Sequence, residues 1–132
     1  MALSLTNAAA NALATDLITD IGASAKILIY AGTPPANAGA ALGSNTLLAT
    51  LTGANPFGTA SNGVITAGTI TDDSSADADG TASFFRLATS GDTVLAQGTV
   101  GTSGADLNLN STSIVTGGIV RITSLTITIA GA

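Results

Sequence analysis

The sequence predicts a mainly β protein: an antiparallel β-sandwich, with the jelly roll among the topologies open to it, preceded by one N-terminal α-helix. Three observations carry this reading. Short runs rich in Thr, Ile, Leu and Val recur between clusters of Gly, Asn, Pro and Ser, which is the pattern of strands and turns in a sandwich. One Ala-rich segment near the N-terminus has helical spacing instead. Leu, Ile, Val and Phe make up a quarter of the 132 residues, above the range of disordered chains and enough for one core.

The helix is expected over residues 7–21. Asn7 suits the N-cap, Ala8, Ala9, Ala10, Ala12 and Ala14 are the strongest helix formers, and Gly22 closes the end. Leu13, Leu17 and Ile21 lie four apart and form an apolar stripe with Ile18 beside it, while Thr15, Asp16, Thr19 and Asp20 are polar. That stripe packs on its own domain or, as a second reading, on a neighbouring subunit. The chain divides into a helical segment, 1–25, and a β-sandwich domain, 26–132.

Strands follow at 26–31, 46–52, 64–71, 82–89, 93–100, 105–110 and 119–130. The loop at 32–45 is full of Gly, Pro and Asn, and the connection at 53–63 carries Phe57 as an anchor into the core. Gly91-Asp92 makes a tight turn that joins two strands as a hairpin. In 105–110, Leu107 and Leu109 alternate inward against Asn108 and Asn110. The last strand changes parity: Val120 and Ile122 share one face, Leu125, Ile127 and Ile129 the other. A bulge near Thr123-Ser124, or a bend from one sheet to the next, is required to bury both sets.

Composition excludes more than it assigns. There is no His, Cys, Glu or Trp, and there are three cations, Lys26, Arg86 and Arg121, in a chain of net charge −5. Proton transfer, metal binding and nucleophilic attack usually rely on the missing side chains, so no enzyme and no cofactor is expected. Three scattered cations do not make a nucleic-acid or anionic-membrane footprint. No apolar run reaches the roughly 18–20 residues that span a bilayer, and the N-terminal segment lacks the basic start of a signal peptide. Much of the hydrophobic fraction is Ala, which buries little area, and this thin core favours an oligomer or a chain docked on a larger assembly.

One group of residues carries candidate chemistry. Asp72, Asp73, Asp77 and Asp79 precede Gly80 and form an oxygen-rich loop, which reads first as a solvated turn and next as a weak Ca²⁺ site. Ser75 and Arg86 stand where an EF-hand loop needs acids, and a catalytic carboxylate pair ranks last. Arg86 is expected to pair with this loop, and Lys26 and Arg121 to sit at sheet edges or rims. The Gly-bearing stretch GTVGTSGADLNLN lacks the Gly-Lys-Ser/Thr of a phosphate loop.

Several segments together, IYAGTPP, TLLATLT, ITDDSSADADGTASFFRL and VGTSGADLNLNSTSIVTGG followed by ITSLTITI, resemble a family of small virion proteins of tailed phages and prophages. The resemblance runs from about Lys26 to Ile129 and is densest from Asp77 onward. It implies a β-sandwich accessory protein made in the bacterial cytoplasm and carried on the virion, a capsid cement or decoration protein. Its implied partners are the phage major capsid protein or other virion proteins, with a homotrimer as the first oligomer to expect. It implies no catalytic residues. A neck, tail or fibre-associated protein is the nearest alternative. A carbohydrate-binding attachment module is another, and it would present Tyr30, Phe57, Phe84 or Phe85 to sugar rings.

Overall fold

A computed structural model describes residues 4–129 of the chain. Helix α1 spans Asn7–Ile21, and Thr6 rather than Asn7 is its N-cap: Thr6 is extended and its Oγ1 accepts the Ala9 N–H at 3.1 Å. At the other end Gly22 adopts φ 69° and donates to Ile18 O at 3.2 Å. The buried face is rotated from the expected stripe. Ala10, Ala14 and Ile21 are buried, Leu17 and Ile18 half-buried, and Leu13 is 49% exposed. The reason is close approach. α1 lies on the hairpin of β3 (Gly58–Ser61) and β4 (Val64–Ala67), where the short Ala side chains bring two backbones together. Asn11 Oδ1 meets the Gly63 N–H there at 3.5 Å. Ala14 and Ile21 join the same core as the strands, so the helix packs on its own domain.

The remaining strands are β1 (Lys26–Ala31), β2 (Thr46–Thr52), β5 (Gly80–Ala88), β6 (Val94–Gly101), β7 (Leu107–Leu109), β8 (Ser113–Ile114) and β9 (Ile122–Thr128). They follow one curled path, β2-β1-β5-β6-β7-β9-β4-β3, with β8 added beside the start of β5. The fold is therefore mainly β with one N-terminal helix, as the sequence predicts. One ladder departs from the antiparallel expectation: β6 and β7 run parallel, Val100 opposite Leu107. Side chains make this short connection work. Asp106 Oδ2 accepts from Thr99 N and Oγ1 at 3.0 and 3.1 Å, and Asn108 Oδ1 accepts from Ala105 N at 3.1 Å.

The curl puts Ile27, Ile29, Leu48, Leu51, Phe57, Ile65, Leu87, Leu107, Leu109 and Leu125 in one core. Phe57 is fully buried, as its anchor role requires. The parity change in the last strand is resolved by an irregularity at the expected place. Leu109 faces Ile122 while Asn108 faces Ser124, which leaves Thr123 as the extra residue.

Two strands escape the sequence reading. β3 lies within the stretch read as a connection, and the third predicted strand ends at Ala67 rather than Thr71. Asn62 (φ 50°) and Gly63 (φ 81°) form the two-residue turn between Ser61 and Val64. Asn-Gly is a strong hairpin signal, so this hairpin was legible in the sequence. β8 is two residues long and has no comparable signature.

Candidate interaction surface

Three of the four carboxylates of the acidic loop have side-chain partners. Asp72 Oδ2 pairs with Arg121 Nε at 3.0 Å. Asp73 accepts from Thr50 N and Ser75 N, both at 2.9 Å. Asp79 Oδ1 accepts the Thr116 N–H at 2.6 Å, and this bond holds its carboxyl below the usual carboxylate range. The Asp77 side chain makes no hydrogen bond among the described residues, but its N–H donates to Leu48 O at 2.8 Å. Among the described residues no three acids come together as a metal-ion site.

The loop is not a free solvated turn; it lies along the open edge of β2. Thr52 exchanges backbone hydrogen bonds with Thr71, Thr50 N–H meets the Asp73 carboxylate, and Leu48 O accepts from Asp77. Residues 48, 50 and 52 are the alternate positions of β2 whose backbone groups point away from β1, so this is an edge cover.

Arg86 does not reach the acidic loop, which corrects the expected pairing. It lies on the face of β5 that also carries Phe84, and it is 5% exposed with no carboxylate partner among the described residues. Its Nε donates to Gln97 Oε1 at 3.0 Å and its Nη2 to Ala40 O at 2.6 Å, while Gln97 donates to Pro35 O at 2.9 Å. Carbonyl dipoles thus stand in for an anion, and the 32–45 loop is clamped over the sheet. On the same face Tyr30 and Phe84 stack with centroids 5.2 Å apart. Burial pushes the Tyr30 hydroxyl pKa up, and the nearby Arg86 charge opposes part of that rise. Lys26 is on an interior strand of the path, paired with Asp92 at 2.6 Å.

All four aromatic side chains are buried: Phe57, Phe84, Phe85 and Tyr30. None of them presents a face on which a sugar ring would stack. A cleft of about 540 Å³ opens where β4 and β9 diverge, between residues 67–72 and 121–125. Its two charged groups, Asp72 and Arg121, already neutralise each other.

The surface feature that stands out is a tight turn at residues 115–118. Gly118 N–H donates to Val115 O at 2.8 Å, with Gly117 at φ 80°. Its flanking side chains, Val115 and Ile119, are 62% and 61% exposed. Both border a groove of about 200 Å³ with Ile114 and Val120 at its base. The acidic loop fixes this turn from behind: Gly117 N–H donates to Ala76 O and Ala76 N–H to Gly118 O, both at 2.9 Å, beside the Asp79–Thr116 bond. Sequence reasoning missed this site because an aliphatic residue in a β-rich chain reads as core.

No protein-family model, no curated protein and no solved structure matches this chain.

Proposed function

We propose that the chain is a structural protein of a tailed-phage virion, a cement or decoration protein that holds to the capsid through protein–protein contacts. The observation that carries this reading is the rigid display of two large aliphatic side chains, Val115 and Ile119, on a turn held by hydrogen bonds from a second loop. Exposed apolar side chains that are already ordered are what a protein-docking surface presents, because little freedom remains to be lost on association. The sequence resemblance to small virion proteins supplies the setting. In this reading the partner is the major capsid protein or another virion protein, and the chain itself assembles as a homo-oligomer, a trimer first.

The test is quantitative mass spectrometry of purified particles from a phage encoding this chain. Hundreds of copies per particle are expected for a capsid protein. A dozen or fewer would move the protein to the neck, tail or fibre, and absence from the particle would overturn the reading. Sedimentation velocity of the purified chain reads the oligomeric state.

A further inference from the structure

We propose that the turn carrying Val115 and Ile119 is the docking element itself, and that it seats in an apolar socket of a virion protein rimmed by Lys or Arg. This rests on the virion reading above and adds to it the contact surface and the chemistry of the partner.

Three observations converge on this turn. The first is its apolar display. Leu13 and Leu42, the other exposed large hydrophobics among the described residues, sit singly on the helix and in the 32–45 loop. Val115 and Ile119 instead flank one turn and border one groove. The second is order. Three hydrogen bonds from Ala76 and Asp79 and one within the turn hold the display in place before any partner arrives. The third is charge. Asp79, an exposed carboxylate, bonds to the turn at Thr116, and exposed Asp77 follows Ala76, which holds the turn. The three cations are engaged elsewhere: Lys26 with Asp92, Arg121 with Asp72, and Arg86 under the 32–45 loop. An apolar contact bordered by uncompensated negative charge selects a partner with an apolar centre and a basic rim.

The experiment uses particles of the encoding phage assembled without this chain, to which the purified full-length chain is added and co-sedimented at low and high salt. Wild type should bind, more tightly at low salt. The Val115→Ser/Ile119→Ser variant should keep its circular dichroism spectrum and bind at least about tenfold more weakly. Asp77→Asn/Asp79→Asn keeps an acceptor for Thr116 but removes the charge, so it should bind several-fold more weakly and lose most of the salt dependence. Serine variants that bind like wild type would overturn the docking site while leaving the virion reading intact. Asparagine variants with unchanged affinity and salt dependence would overturn the basic rim. Failure of wild type to bind would sink the virion reading and the socket with it. Self-association of wild type that the serine variant loses would assign the turn to a second copy instead. An independent readout uses the absence of cysteine from the chain. Val115→Cys creates a unique thiol, which should react with a maleimide in the free chain and be shielded in assembled particles. Equal reactivity in both states would overturn the proposal.

Discussion

The Asp73 carboxylate accepts the Thr50 N–H at 2.9 Å, so an acid from a loop occupies the place of a neighbouring strand's carbonyl. β2 ends the sheet path, and an uncovered edge of Thr, Leu and Ala is a template for pairing with another chain. Thr71, Asp73 and Asp77 close it at alternate positions.

Asp73→Ala should therefore destabilise the fold by about 1–3 kcal/mol, the loss of two charge-assisted hydrogen bonds to backbone. Urea unfolding measures this, and light scattering should show faster aggregation as the edge opens. Asp77→Ala is the control. Asp77 covers the edge through its backbone N–H, so this change should fall within about 0.5 kcal/mol of wild type.

Arg86→Met should free the 32–45 loop. The change removes the donors that hold Ala40 O and Gln97, at a cost of about 1.5–3 kcal/mol. Hydrogen exchange should rise across residues 33–45 while the ladders of β6 with β7 and β4 with β9 keep their protection. Arg86→Lys should not rescue the loop, because one ammonium does not reproduce the guanidinium fork that reaches Gln97 and Ala40 together.

Gly58→Ala should be damaging and Gly43→Ala tolerated. A Cβ at Gly58 would collide with the backbone of Thr66 and Ala67 on the paired strand, which cannot move without breaking the hairpin beneath α1. Overpacking of this kind costs about 1–3 kcal/mol, a fall in Tm of several degrees for a chain of this size. At Gly43 the added methyl meets nothing, so Tm should hold or rise slightly.

Tyr30 is the single tyrosine, so an ultraviolet titration reads it alone. Burial raises its pKa above 10.0, with the Arg86 charge opposing part of the rise. A group whose folded pKa is raised adds stability that is complete below its unfolded pKa and is lost as pH climbs through the folded one. The phenol should ionise above pH 10 in the folded chain, with unfolding becoming easier over the same interval. An ordinary midpoint would contradict the burial of Tyr30 in the folded chain.

Some of this architecture was written locally. The helix span, the strands at 26–31 and 46–52, the hairpin around Gly91-Asp92 and the irregularity at Thr123 follow from caps, periodicity and turn chemistry, which act over a few residues. The hairpin at Asn62-Gly63 had its signal too. The candidate site was much less legible. Val115 and Ile119 have the same side chains as the core positions Val120 and Ile114, and only burial separates them.

What the sequence determined by itself was the class: one helix, many short strands, and a poverty of reactive side chains in a chain of net charge −5. The tertiary structure alone decided where the charges went. It placed Arg86 beneath a loop rather than beside the acids, split four neighbouring aspartates between an ion pair, the cover of a strand edge and the bracing of a turn, and turned two aliphatic residues outward. The physical reason is range. Propensity and periodicity are set by neighbours in the chain, whereas burial, edge cover and ion pairing are set by segments that meet only when the sheet curls. Leu48 and Asp77, Thr50 and Asp73, and Asp79 and Thr116 are such meetings, and no local pattern announces them.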